Sequence, residues 1–310
     1  MRAVVYEDTR KVGVREVEDA VIEDPTDVVV RVTSSAICGT DLHMYDGRTG
    51  AEPGMVIGHE PLGVVERVGD DVDLVKPGDR VVIPTHLFCG LCYNCIRGYT
   101  AACLRVRPGG FGAAYGYAGM GHYRGAQAGL LRVPFADANC VRVPGAPLDD
   151  LEDDFVLLAD AFVTGWHATE LAGLQPGATV AVFGAGTIGL LAAYSALLRG
   201  AAEVYVVDFV AERLDMAGAL GAVPVSFADG DPVEQIRELL GVDSLAYLDL
   251  ENLRRAIDAP GAGFCTACLT GDYPVGAPAP VLADTAEREA ASPPAAAAPL
   301  SPEGAGRGVG

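Results

Sequence analysis

Positive charge is scarce in this chain. Of 310 residues, 22 are Lys or Arg and 42 are Asp or Glu, a formal net charge of −20. A broad nucleic-acid or anionic-membrane surface is therefore excluded. Lys11 and Lys76 are the only lysines and every other basic residue is Arg, a bias that fits a GC-rich genome or a salt-tolerant surface equally. An apolar leader is also missing. The N-terminal MRAVVYEDTRK is charged and mixed, so no signal peptide is expected and the cytoplasm is the expected compartment. The uncharged run 171–198 is long enough for a membrane window, but Pro176, Gly177 and a glycine cluster interrupt it. A buried strand, a tight turn and a buried helix are expected there rather than a membrane span.

Half the residues are hydrophobic and 21% are charged, enough to bury a sizeable core and to exclude disorder throughout. At roughly 150 residues per domain, the length corresponds to about two domains. From residue 1 to 150, runs such as AVVY, DVVVRVTS, GVVERVG and DRVVIP alternate with Gly and Pro breaks, the pattern of an all-β body with long functional loops. Residues 151–177 begin with apolar positions at helical spacing and are expected to hold linking helices. Beyond them strand and helix patterns alternate: ATVAVFG, TIGLLAAYSALLRG, EVYVVD, AERLDMAGALG, a third strand at 222–225, and DPVEQIRELLG. That alternation predicts a parallel, doubly wound sheet over 178–241. Residues 276–310 are mostly Ala, Pro and Gly without periodicity and are expected to be disordered.

Eight cysteines in a cytoplasmic chain point to metal binding or catalysis before disulfides. Cys89, Cys92, Cys95 and Cys103 are spaced C-x2-C-x2-C-x7-C, in a loop that also holds Gly90 and Gly98. Four thiolates at these intervals wrap one tetrahedral Zn²⁺ and leave no open position, a closed structural site. An iron–sulfur cluster is the competing chemistry, and four unrelated thiols are the plain alternative.

Cys38 lies in CGTDLH just after one predicted strand, and His59-Glu60 lies in GHEPLG just before another. Neither is informative alone. With VxVxxSAICGTDLH, KPGDRVVIP, the four-Cys loop and GAGTIG, they make residues 1 to about 240 resemble the medium-chain zinc-dependent alcohol dehydrogenases. The segment 109–140 resembles the glutathione-independent formaldehyde dehydrogenase branch. The resemblance implies a GroES-like catalytic domain over 1–150 and a Rossmann-type cofactor domain after it. It also implies a catalytic zinc held by Cys38, His59 and Asp160, the last in LLADAFVTGWHA where many relatives carry Cys. Carboxylate is a legitimate zinc ligand and leaves the metal less electron-rich than a second thiolate would; a turn or helix-cap carboxylate is the plain alternative. Glu60 would stand in or just outside the ligand shell. Thr40 and His43 match the family's proton relay of hydroxyl, cofactor ribose and imidazole, against plain roles in a turn and in solvent. Asp41, Cys140, His86, His122 and His167 are expected to be turn, core or surface residues rather than ligands.

Gly184-Ala185-Gly186-Thr187-Ile188-Gly189 is G-x-G-x-x-G between a predicted strand and helix, with Asp208 closing the next strand. In that context it is a dinucleotide fingerprint. Gly184 allows the turn, Gly186 lets backbone approach a pyrophosphate at the helix N-terminus, and Gly189 lets helix and strand pack. Thr187 and Ile188 complete the loop, Asp208 favours NAD over NADP by accepting from ribose hydroxyls, and Arg213 borders the adenine side. Thr164 matches the family residue beneath the nicotinamide. The implied activity is hydride transfer from a small alcohol or aldehyde hydrate to NAD, with a zinc Lewis acid. Two zinc ions per chain and a homo-oligomer are expected.

The resemblance stops near Gly241. A full dinucleotide fold has six strands and about three are predicted before that point. The cofactor domain thus looks truncated, and the relatives' dimer-forming strands have no counterpart. An unpaired central edge is expected to invite aggregation or to abolish tight cofactor binding. Residues 243–275 resemble instead the C-terminal end of glutamine amidophosphoribosyltransferases, in which C-x-x-C supplies two iron–sulfur ligands. Cys265 and Cys268 lack two obvious partners and are expected to be free thiols on a graft. Two functions remain in play, a zinc dehydrogenase and a catalytically inactive zinc-binding remnant of one. An iron–sulfur or purine-synthesis role carried by the tail ranks third.

Overall fold

The structure is a computed structural model that describes residues 1–107 and 109–241. The amidophosphoribosyltransferase-like segment, the Cys265/Cys268 pair and the Ala/Pro/Gly tail lie outside the described residues.

The chain opens with an antiparallel hairpin, β1 (Arg2–Asp8) and β2 (Lys11–Glu16), turned at Arg10 with φ +59°. Then come β3 (Val28–Ser35), the helix α1 (Gly39–Tyr45), β4 (Pro61–Val68) and β5 (Arg80–Val82). The short strands β6 (His86–Leu87) and β7 (Ala113–Ala114) pair across the four-Cys loop. β8 (Leu130–Val133), α2 (Ala136–Asn139) and β9 (Val141–Arg142) finish this half. Five strands form one antiparallel sheet in the order β8-β3-β4-β5-β9.

That sheet is covered on both faces, which explains why its strands are continuous apolar runs rather than alternating ones. On one face Val28, Val30, Val65, Val81 and Ile83 pack with Leu87, Tyr115 and the thiols of Cys89, Cys95 and Cys103. On the other, Leu62 and Val82 meet Val156 and Ala159, which belong to α3 (Glu152–Val156) and the 3-10 turn after it. A buried ion cluster pins α3 to the sheet. Arg80 Nη2 donates to Glu152 Oε2 at 2.5 Å, and its Nη1 donates to Asp149 Oδ2 and to the Pro144 carbonyl. Glu152 Oε1 accepts from Thr33 and Ser34 on β3.

α4 (Ala161–Leu171) then leads into the second half, and packs along α5. Here β10 (Thr179–Phe183), α5 (Thr187–Leu198), β11 (Glu203–Asp208), α6 (Ala211–Ala219), β12 (Val223–Ser226) and α7 (Pro232–Leu240) alternate as the pattern predicts. The three strands are parallel in the order β10-β11-β12. Asp231 starts α7 by accepting the Val233 N–H, with Pro232 in the first turn where a missing N–H does no harm. Residues 204–208 of β11 are buried, whereas 180–183 of β10 are only half-buried. Among the described residues β10 pairs with β11 alone, so its other edge has no strand partner. No helix among the described residues is long and apolar enough to cross a membrane.

Burial alone would raise the Glu152 carboxyl, but bonds from Thr33, the Leu148 N–H, Ser34 and Arg80 hold it below the usual glutamate range. Its ion cluster is therefore intact above that range and weakens as pH falls through the lowered value. Glu152→Ala leaves Arg80 short of a buried partner and is expected to cost about 3 kcal/mol, read as a lower urea midpoint at neutral pH.

Candidate metal centres and the glycine-rich loop

Three separate segments bring one polar cluster together. Cys38 is the residue before α1. Its own N–H donates to Asp41 Oδ2 at 2.9 Å, so the start of that helix is held by a side chain three residues on. His59 and Glu60 sit immediately before β4, and Asp160 lies between the 3-10 turn and α4. One ligand-capable atom from each of Cys38, His59, Glu60 and Asp160 lies within 4.8 Å of the other three. Asp160 occupies the position before α4 yet makes no capping bond. Its Oδ1 accepts from Thr164 Oγ1 at 2.7 Å and its Oδ2 faces His59 Nε2 at 3.6 Å.

His59 and Glu60 are 1% and 3% exposed, while Cys38 and Asp160 are half-buried, so the cluster opens to solvent on one side. Asp41 is itself 3% exposed and stands 3.4 Å from His59 Nδ1. The edge of the Tyr117 ring approaches the imidazole at 6.0 Å between centroids. Thr85 ties two of the segments together: its hydroxyl reaches the carbonyls of His59 and Ala159, and its N–H donates to Ala159. Burial disfavours a charged imidazole, but Asp41 and Cys38 outweigh it and push His59 up to about 10. Burial and the nearby Asp160 push Glu60 up to about 7. Thr40 Oγ1 lies 3.4 Å from Cys38 Sγ. His43, three residues further along α1, is half-buried and held below the usual histidine range by burial and by Arg48.

The four-Cys loop converges as well. The Sγ atoms of Cys89, Cys92, Cys95 and Cys103 lie within 4.8 Å of one another, with Cys92 3.4 Å from Cys95 and 3.9 Å from Cys103, and Cys89 4.0 Å from Cys95. No disulfide links them. A zinc–sulfur bond of about 2.3 Å gives a tetrahedron with edges of about 3.8 Å, so these separations fit one ion. Backbone N–H groups of Cys89, Leu91, Cys92, Leu104 and Arg105 point at the sulfurs, the arrangement that stabilises thiolates. The N–H groups of Leu104 and Cys95 draw Cys92 down to about 6, while burial and neighbouring thiols push Cys95 up to about 12.

The glycine-rich loop joins β10 to α5. Gly184 has φ +95°, the turn that favours glycine. Gly186 is the residue before α5, which Thr187, Ile188 and Gly189 begin. A Cβ on Gly189 would fall 1.8 Å from the Gly184 carbonyl oxygen. Asp208 ends β11, 3% exposed; its Oδ2 accepts the Ala185 N–H at 2.6 Å and its Oδ1 accepts those of Phe209 and Val210. The acidic residue thus holds the loop itself. Arg213 lies on α6, with a buried Nη1 that has no hydrogen-bond partner among the described residues.

Asp41, Thr85 and Tyr117 were not singled out as part of this cluster by sequence reasoning. Asp41 carries a local signal, a carboxylate three residues after Cys38 at a helix start. Thr85 and Tyr117 carry none, because their contacts are made only once distant segments meet. His86 and His167 are exposed, as expected.

A family profile described as alcohol dehydrogenase GroES-like domain matches residues 24–145. The chain is 41% identical over 249 residues to a glutathione-independent formaldehyde dehydrogenase of Pseudomonas aeruginosa, covering 77% of this chain and 62% of that protein. It is 34% identical over 257 residues to a medium chain reductase/dehydrogenase of Acremonium sp., covering 79% of this chain and 84% of that protein. Among solved structures, the alcohol dehydrogenase TADH from Thermus sp. ATN1 superposes with a TM-score of 0.71 at 38% identity, over 78% of this chain and 67% of that one. The chain therefore spans a little over three-fifths of the length of the Pseudomonas relative.

Gly189→Ala is expected to force loop and helix apart and to destabilise the second half by roughly 1–3 kcal/mol, measured by chemical denaturation against the unaltered chain.

Proposed function

The chain belongs to the medium-chain zinc-dependent alcohol dehydrogenase family, and from that membership we propose that it transfers a hydride from a small alcohol or aldehyde hydrate to NAD, with formaldehyde hydrate as the reference substrate. The observation that carries this proposal is the convergence of Cys38, His59, Glu60 and Asp160 within 4.8 Å, on a face open to solvent. In this reading residues 1–150 form the metal-carrying domain, 151–177 the link and 178–241 the dinucleotide domain. Cys38, His59 and Asp160 hold a catalytic zinc, and Cys89, Cys92, Cys95 and Cys103 hold a structural one.

Zinc when bound supplies Lewis acidity toward a substrate oxygen, and NAD when bound accepts the hydride. The chain's own residues do the rest. Asp41 faces His59 Nδ1 and leaves Nε2 turned toward Asp160. Thr40, beside Cys38, would take the substrate proton, and His43, three residues further along α1, would pass it on to solvent. Glu60, poised near 7, is the carboxyl that exchanges with water beside the ligands. Gly184, Gly186, Thr187, Ile188 and Gly189 present helix-start N–H groups to the pyrophosphate. With the cofactor bound, the Asp208 carboxylate would disfavour a 2′-phosphate, and Arg213 and Thr164 would serve its adenine and nicotinamide ends. The chain works in the cytoplasm, and its net charge of −20 argues against nucleic-acid or membrane partners.

One observation favours a second reading, an inactive zinc-binding protein. β10, the strand that carries the glycine-rich loop, is half-buried and unpaired on one edge among the described residues. Elemental analysis of the folded chain separates the two. Two zinc ions per chain support the dehydrogenase, one zinc supports the inactive reading, and iron contradicts both. With NAD and formaldehyde, NADH formation that a chelator stops and that Cys38→Ser eliminates without loss of fold is the expected result. Absence of turnover in a chain carrying both zinc ions would defeat the proposal.

A further inference from the structure

Thr164 has a second contact besides the cofactor face assigned to it. Its hydroxyl donates to Asp160 Oδ1 at 2.7 Å across the first turn of α4, while its N–H donates to the Asp160 carbonyl at 2.9 Å. The other carboxylate oxygen, Oδ2, is the one that faces His59 Nε2 at 3.6 Å. Among the described residues no other side chain donates a hydrogen bond to the Asp160 carboxylate, and Asp160 spends neither oxygen on capping its helix.

This contact matters because Asp160 stands where a thiolate serves in many relatives. A sulfur offers one donor atom. A carboxylate offers two equivalent oxygens on a rotatable bond, and left alone it alternates between giving one oxygen and giving both. A second oxygen would take up the position that an open catalytic site keeps for substrate. A hydrogen bond to one oxygen breaks the equivalence and fixes the orientation of the other.

We propose that Thr164 is a positioning residue for Asp160, which commits Oδ1 to hydrogen bonding so that Oδ2 alone is presented to the metal. The proposal rests on the assignment of Asp160 as a ligand. It places one exposed hydroxyl against the carboxylate of Asp160, at the edge of the metal site. Thr164→Val keeps the shape and removes the donor; Thr164→Ser keeps the donor.

The test uses the full-length chain stripped of metal and titrated with Co²⁺, with affinity and the visible d–d absorption as readouts. Cys38→Ser serves to identify which signal comes from the cluster of Cys38, His59 and Asp160. Thr164→Val is expected to weaken cobalt binding at that site by about 10- to 100-fold and to reduce its absorption as coordination rises. Thr164→Ser should restore both, and the four-Cys signal should not change in either variant. Thr164→Val with unchanged affinity and spectrum would overturn the proposal. So would equal loss at both metal sites without rescue by Ser, which would mean a damaged fold. If Cys38→Ser and the unaltered chain take up cobalt identically, the ligand assignment fails and takes this proposal with it.

Discussion

Cys38, Asp41, Glu60 and Asp160, each able to carry negative charge, crowd around the single imidazole of His59 in a mostly buried site. Two like charges about 4 Å apart repel by roughly 4 kcal/mol at a near-surface effective dielectric. With protons alone the cluster relieves this by holding His59 charged up to about 10 and Glu60 partly neutral near 7. Such a cluster is a standing demand for positive charge, and a divalent cation answers it far more completely than one imidazolium. The surrounding fold keeps the donors from moving apart. Thr85 bonds the backbone of two segments at once, and the Arg80–Glu152 cluster fixes α3 to the sheet just ahead of the turn that carries Asp160.

The two halves of the molecule are built on different logic. The β-rich half buries its sheet on both faces and draws three thiols into the same core as its valines, so fold and four-Cys loop are one packed object. The α/β half keeps β11 well buried but leaves β10 half-exposed. Asp208 compensates locally by tying the end of β11 to the loop after β10 through the Ala185 N–H. The glycine-rich loop is therefore held in shape by a buried carboxylate as well as by its glycines.

Much of this was legible in the chain. β11 matches its run EVYVVD at both ends, because β-branched residues bounded by turn signals leave little choice. The four cysteines announced themselves by spacing, and the resemblance supplied Cys38, His59 and Asp160 as a set. What could not be read were features that need two distant segments at once, or the start of a helix fixed to the residue. The short strands β6 through β9 have no pattern of their own and exist by pairing. Thr85 looks like any threonine after a Pro, and the bond between Thr164 and Asp160 requires knowing where α4 begins. Asp208 was legible as an acidic residue at a strand end, but its grip on Ala185 was not.

Cys92 combines a lowered pKa with a second thiol 3.4 Å away and partial exposure. A thiolate so placed is what a metal ion seeks and equally what an oxidant attacks. Metal binding and oxidation therefore compete for the same sulfurs. On the proposed reading, zinc arriving first would cap sulfurs that already share the core of the β-rich half. Oxygen arriving first joins two of them and spoils the tetrahedron for good unless a reductant intervenes. On that reading, formation of the four-Cys site depends on how reducing and how metal-replete its surroundings are when the loop closes.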